Sequence, residues 1–395
     1  MIKTSGIILL ALSTWLLWLI VSQFMLCARF QFNDSIPFEG PVIYNPYDSA
    51  NAGSWVKCNF HAHSRAWEGV TNGHGTANDV HNAYKSLNYD FHCVSNYHHI
   101  DTTHASEPGY IPAYEHGYNI LKTHQLVLGS QNVQWLDYLF FQNVHNKQHV
   151  LENLADENSV IILNHPGLKN GYTAQDLSLL GGYDCMEVLN PSVISTPHWD
   201  AALSAGKKVF IVGDDDIHDV IAKKRLGEMC TFVNVAKNSG SEVLEALKAG
   251  RSYGVVIGKD QTADSIPKLS KLAVKDDSIL IQMTQPATEV TVTGQNGKVL
   301  ASFENTSGVQ YKLQPDDHYA RATFKYQNGT AIYLNPVFFT PKSGYQAPRI
   351  YENVNETTFY RSLGIVILFL WVLIAWRLLP GNKRQRLGRR RLSWR

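Results

Sequence analysis

The chain has 395 residues, enough for two folded domains and further segments, with a net charge of +1 and 17% charged against 44% hydrophobic residues. So low a charged fraction points to membrane-embedded segments. The five cysteines, Cys27, Cys58, Cys93, Cys185 and Cys230, show no CxxC spacing and are odd in number, which argues against a structural zinc knuckle and a full disulfide framework and leaves room for one bridge in an oxidising compartment.

Residues 6–26, GIILLALSTWLLWLIVSQFML, form an apolar run long enough, at about 1.5 Å per residue, to cross a hydrocarbon core of ~30 Å. The run is longer than the h-region of a signal peptide and no A-x-A site follows, so an uncleaved anchor is expected. Leu26 is too bulky to precede a lipidated Cys27. Residues 29–54 read as a linker. Residues 55–258 then alternate short apolar runs with amphipathic stretches, such as SVIILNHPG and the helical SGSEVLEALKAGRSYGV, which stops at Gly250. Alternation of this kind predicts an α/β domain with a parallel sheet or barrel and its chemistry at the C-terminal strand ends.

Residues 260–342 change character. ILIQM, TEVTVTG, VLASFEN, YARATFKYQ and AIYLNPVFFT are short strands divided by Gly, Asn and Asp turns, the pattern of a small all-β sandwich. Residues 363–379, LGIVILFLWVLIAWRLL, predict a second transmembrane helix, with Arg377 able to snorkel. The basic tail at 380–395 contains no acid. Its position beside an apolar helix favours anionic lipid headgroups over nucleic acid as its partner. The positive-inside rule puts this tail in the cytoplasm, Lys3 puts the N-terminus there too, and the residues between the anchors fall on the far side. Four N-x-[ST] triplets, at Asn33, Asn305, Asn328 and Asn355, matter only in a glycosylating pathway. The oligomeric state is not legible.

Most of the 16 histidines lie between His61 and His218, and several end runs that read as strands. His61 and His63 follow WVKCNF. His98 and His99 end DFHCVSNYHH. Glu115 and His124 come from YIPAYEHGYNILKTHQLVLG, His165 from VIILNHPG, and Asp216 and His218 from VFIVGDDDIHD. Successive strand ends converge on one face of a barrel, so these residues can share one pocket. Imidazole and carboxylate ligands suit Zn, Mn or Fe, and the lack of thiols disfavours a purely structural zinc site. A bridging carboxylate can hold two ions that orient a phosphate and activate water.

In that order, HAH, SNYHH, PAYE, KTHQLVLG, NHPG and DDIH resemble the motifs of the PHP (polymerase and histidinol phosphatase) family across residues 55–258, with MEVLN and LKAGRSYG extending the likeness. The resemblance implies a distorted (β/α)7 barrel with two or three divalent metal ions. By position, His61 and His63 would bind the first metal, Glu115 would bridge, His98, His124 and His165 would serve the other ions, and Asp216 with His218 would close the site. The segment with YARATF and NPVFF looks like the Ig-like module that follows some secreted members. Two places depart from the pattern. The aspartate expected after the first pair is missing, with Glu68, Asn72 and His74 competing for its place, and Tyr97 stands where a second aspartate is usual. Asp214 and Asp215 also rival Asp216.

The expected function is a membrane-anchored metal-dependent phosphoesterase acting outside the cytoplasm on a phosphorylated small molecule, lipid or glycan, with His61, His63, Glu115, His165, Asp216 and His218 at its catalytic centre. Two alternatives stand beside it. One is a catalytically silent PHP-like binding module whose β-sandwich engages a partner or glycan. The other is an amidohydrolase-like metal hydrolase.

Overall fold

The computed structural model describes residues 2–50, 54–259, 261–262 and 265–379; the basic tail at 380–395 lies outside them. The site is built on seven strands: β1 (Trp55–Asn59), β2 (Phe91–His92), β3 (Ala113–His116), β4 (Gln125–Leu128), β5 (Val160–Leu163), β6 (Cys185–Asn190) and β7 (Phe210–Gly213). VIIL in β5 and CMEVLN in β6 are buried along their whole length, as strands covered on both faces must be.

The pairings return on themselves. β1 is parallel to β2, and a bridge from Tyr97 to Glu115 carries the chain beyond β2 onto β3. β3–β4 and β4–β5 are antiparallel, while β5–β6 and β6–β7 are parallel. A bridge between Ala62 and Ile217, reinforced by the His63 amide donating to the Ile217 carbonyl at 2.8 Å, then brings the end of β7 back to the end of β1. Inside this ring, Cys58, Phe60, Phe91, Leu126, Ile162, Phe210 and Val212 form a sealed apolar core.

The helices have local reasons to start and stop. Thr76 and Asp79 form a reciprocal capping box at the head of the helix Ala77–Ser86. The later helix Gly240–Ala249 ends at Gly250 in the left-handed region, φ 74°, where a Cβ would stand 2.4 Å from the Phe210 ring. The cysteines are all buried and unpaired.

The β-rich segment does not stand apart. Strand β8 (Met229–Asn234) pairs antiparallel with β1 and with β9 (Ser252–Val256), and β9 pairs in turn with Ala331–Leu334 of that segment. One sheet therefore runs from the site-bearing strands into the C-terminal strands. ILIQM and TEVTVTG, expected as two strands, belong to the single strand Ser278–Thr293. Its register shifts between Gln282 and Ala287, and the shift accommodates Pro286, which has no N–H to give. Side chains tie the two parts as well. Asn335 accepts from the Ile211 amide at 2.8 Å and donates to the Gly250 and Ser252 carbonyls. Arg321 forms a bidentate pair with Asp200 at 2.7 Å through both nitrogens, and Tyr319 adds a third donor at 3.1 Å.

Two helices, Thr4–Leu26 and Val354–Leu378, are long and apolar enough to cross a membrane. They pack together: the Trp371 indole donates to the Thr14 hydroxyl at 3.0 Å, and a Cβ on Gly364 would come within 2.8 Å of the Met25 Cβ. The second helix begins at Val354, earlier than the apolar run suggests. Its polar first turns are capped by the Asn353 side chain and joined to Arg29 through Thr357.

Breaking a buried, doubly bonded ion pair strands one charge. Arg321→Ala is therefore expected to cost about 3–5 kcal/mol, read as a lowered unfolding midpoint of the detergent-solubilised chain. Arg321→Lys should recover little of it, because an ammonium cannot match both carboxylate oxygens.

Candidate metal centre

Each site residue lies at or just past a strand end of the ring. His61 and His63 follow β1 and, being two residues apart in extended chain, face the same way. Glu115 is in β3, His124 precedes β4, His165 follows β5, and Asp216 follows β7. The left-handed backbone at Asp216, φ 46°, swings its carboxylate inward.

The side chains fall into two buried groups, His61–His63–Asp216 and Glu115–His124–His165. Glu115 belongs to both. Its Oε2 lies 3.3 Å from His61 Nε2 and 3.1 Å from His63 Nε2, while its Oε1 lies 2.7 Å from His124 Nδ1 and 3.4 Å from His165 Nε2. Asp216 Oδ1 stands 3.2 Å from His61 Nε2 and 3.6 Å from that of His63. His218 is at the rim, its ring tilted at 34° and 4.3 Å from that of His63, with its Nε2 3.6 Å from Asp216 Oδ1.

Three predicted roles for neighbouring residues need correction. His98 does not join the site. Tyr97 faces inward, stacked 4.6 Å from His63, and the chain then turns at His98, whose backbone is left-handed at φ 47°, so that the next side chain leaves the site. Both His98 nitrogens are engaged there: Nε2 accepts from the Gly117 amide at 3.0 Å and Nδ1 donates to the Gln134 carbonyl at 3.1 Å. None of Glu68, Asn72 and His74 supplies the missing aspartate, since all three are exposed. Gly73 lies so flat on the strand end that a Cβ would be 2.0 Å from the Ser64 carbonyl oxygen, which aims its neighbours outward. Asp214 and Asp215 are structural. Asp214 accepts from the Phe60 amide, and Asp215 from the Gly227 and Met229 amides and the Tyr84 hydroxyl.

Sequence reasoning gave no role to Glu187, Asn164 or Asn190. The Glu187 carboxylate holds His61 Nδ1 at 3.0 Å and accepts from the His165 amide at 2.8 Å, so it fixes two imidazoles at once. Asn164 donates to Glu115 Oε1, and Asn190 donates to Glu187 and Asp216. This is the outer ring of partners that orients metal ligands.

The electrostatics follow from three carboxylates beside four imidazoles, all out of water. Burial alone would lower the His61 imidazolium, but Asp216, Glu115 and Glu187 outweigh it and hold His61 well above its usual range. Burial is likewise outweighed at His63, by Asp216 and Glu115, and at His165, by Glu115 and Glu187. Burial opposes the Glu115 anion, yet His124 and His61 hold its carboxyl well below the carboxylate range. Burial and the positive charge of His63 lower His218 to about 4.

Such a donor set fits divalent cations. The buried Glu115 Oε2 is close to two imidazole nitrogens yet has no aligned hydrogen bond. Imidazoles with bridging and terminal carboxylates are the ligands of Zn, Mn and Fe. A third group, His81, His104 and Glu107, is poorer. The His81 and His104 rings are stacked 3.7 Å apart at 8°, so their in-plane lone pairs do not converge on one ion.

No family model and no curated protein matches the chain. Among solved structures, a two-domain protein containing a predicted PHP-like metal-dependent phosphoesterase from Bacteroides vulgatus ATCC 8482 is similar, at 13% identity and a TM-score of 0.40 over 82% of this chain and 99% of that one.

Cation loading must displace the protons that His61, His63 and His165 hold. Those protons, raised above the unfolded value of ~6.5, stabilise the ion-free fold below that pH and are lost as pH rises through the raised folded values. Zinc or manganese affinity should therefore climb as pH rises towards those raised values and level off above them. Calorimetry at neutral pH in buffers of unlike ionisation heat should register proton release. Glu115→Gln should lose bound metal by mass spectrometry, and His98→Ala should retain it.

Proposed function

We propose that the chain is a membrane-anchored, metal-dependent phosphoesterase of the PHP type, with a distorted (β/α)7 barrel over 55–258, an Ig-like β module over 260–342 and transmembrane anchors at 6–26 and 363–379. The observation that carries the reading is the Glu115 carboxylate, with one oxygen in each of two buried His/Asp/Glu groups. The ordered motif resemblance supports it. Two divalent ions between these groups would supply a nucleophile from water and positive charge for the phosphoryl oxygens.

The chain's own residues do the rest. His61, His63 and Asp216 hold one side of Glu115, and His124 and His165 hold the other. Glu187 keeps the His61 ring in one tautomer and orientation through Nδ1. Burial and the Glu115 and Asp216 charges push the Tyr97 phenol far up, so it stays protonated and can donate to a phosphoryl oxygen. Lys122, whose Nζ lies 5.8 Å from the Tyr97 ring centroid, brings a cation to the same edge and would counter substrate charge. His218, beside His63 and with its Nε2 3.6 Å from Asp216 Oδ1, stands where it would close the site from the rim. A glutamate stands in the bridging place that a carbamylated lysine would fill in an amidohydrolase-like barrel, which favours phosphate chemistry.

Activity on a panel of phosphate monoesters and diesters should vanish on chelation and return with Zn or Mn. His61→Ala should abolish it. Tyr97→Phe and Lys122→Ala should each lower kcat/KM about 10–100-fold while retaining metal. Undiminished activity in His61→Ala, or turnover of amides alone, would overturn the reading. In the proposed topology both termini are cytoplasmic and the barrel faces the other side. A reporter fused after Arg395 should then read as cytoplasmic, and an outside signal would reverse the orientation.

A further inference from the structure

The wall of the site nearest the first apolar helix is aromatic and uncovered. Moving outward from Tyr97, the Trp67 indole donates to the Tyr97 carbonyl at 2.7 Å. Trp67 meets Trp135 edge-on at 5.9 Å, and Trp135 stacks on His98 at 5.0 Å. Tyr118 stands 5.8 Å from the same imidazole. Trp67, Val70, Tyr118, Ile120, Trp135 and Phe141 are all exposed, Val70 to 87%. An exposed apolar patch of this kind marks a surface meant for apolar contact.

The patch joins the end of that helix directly. The fully buried Gln23 side chain accepts from the Phe140 amide and donates to the Phe141 carbonyl, both at 3.0 Å, and the Gln23 carbonyl accepts from Asn146 at 2.7 Å. Between the helix and the wall lies a cavity of about 300 Å³, lined by Trp18 and Leu19 on one side and by Tyr118, Trp135 and Leu136 on the other. The exposed apolar surface of the helix thus lies beside the aromatic rim, with Ser22, Gln23, Asp137 and His149 adding polar lining to the cavity between them, and tryptophan and tyrosine are the residues that settle at a bilayer interface. The loop bearing Tyr118 and Ile120 outward ends at Lys122, which leans over the Tyr97 ring at the site. An apolar rim, a cavity walled largely by Trp18, Leu19, Tyr118, Trp135 and Leu136, and a cation at the catalytic edge match an amphiphile with a phosphorylated head.

We infer that this rim rests in the bilayer interface and that the substrate is a lipid-borne phosphate ester, its apolar chain seated against the Trp18–Tyr118–Trp135 cavity and its phosphate at Tyr97 and Lys122. The inference rests on the phosphoesterase reading. In the reaction, water adds its oxygen to phosphorus, the P–O bond to the lipid alcohol breaks, and the leaving oxygen takes the proton that water gives up.

Two readouts on the full chain in nanodiscs test it. The first is independent of catalysis. The five native cysteines are buried, so spin labels go selectively to Val70→Cys, Ile120→Cys and, on the β-rich segment, Val299→Cys. Labels at 70 and 120 should collide preferentially with oxygen, and the label at 299 with an aqueous nickel chelate. Aqueous behaviour at 70 and 120 overturns the inference, even for an active phosphoesterase. The second readout compares phosphatidic acid and phosphatidylglycerol in nanodiscs with glycerol 3-phosphate and a soluble aryl diester. Ile120→Ser with Trp135→Ala should cut turnover of the preferred lipid about tenfold and leave the matching soluble ester within about twofold. Equal losses on both, or preference for the soluble ester, overturn it too. Lipid-phase labels without hydrolysis of any phosphate ester would instead fail the phosphoesterase reading, and the substrate assignment with it.

Discussion

A carboxylate with no access to water persists as an anion only where its neighbours replace the lost hydration. Glu115 is such a group, fully buried and held ionised by imidazoles on both sides. The rest of the structure is arranged so that those imidazoles arrive. The pair His61–His63, His124 and His165 belong to three separate parts of the chain, and only a ring of paired strands brings those parts together. The bridges Tyr97–Glu115 and Ala62–Ile217 close that ring beside the residues that need it. Fold and site therefore rest on the same contacts.

Much of the site was legible because strands impose simple parity. An H-x-H pair after an apolar run places both rings on one face, and HP or D-x-H at later run ends places others on the same rim. Parity does not reach His98: the strand has ended, and a left-handed turn there carries the imidazole to the Gly117 amide and the Gln134 carbonyl instead. The run Asp214–Asp215–Asp216 could not be parsed locally, because the donors that occupy the first two come from Phe60, Tyr84, Gly227 and Met229. Glu187 did carry a signal: a lone carboxylate inside the apolar strand CMEVLN cannot be buried without partners.

The larger architecture was legible by segment and not by junction. The β-rich character of residues 260–342 shows in their alternation. That Ala331–Leu334 extends the sheet of Ser252–Val256, or that Arg321 and Asp200 find each other, depends on pairings far apart in sequence. ILIQM and TEVTVTG, read as two strands, are one, in which a register shift between Gln282 and Ala287 takes up Pro286. The two long apolar helices were plain from hydropathy. The polar head of the second escaped the same reading, since its stability comes from Asn353 and from Thr357 bonding to Arg29.

The central claim is that Glu115 stands between two cations. Anomalous scattering from crystals of the manganese- or zinc-loaded chain tests it most directly. The account predicts two peaks about 3.5–4 Å apart, one on the His61–His63–Asp216 side and one on the His124–His165 side, each within bonding distance of a different Glu115 oxygen. A single peak, or peaks that leave Glu115 uncoordinated, would contradict it.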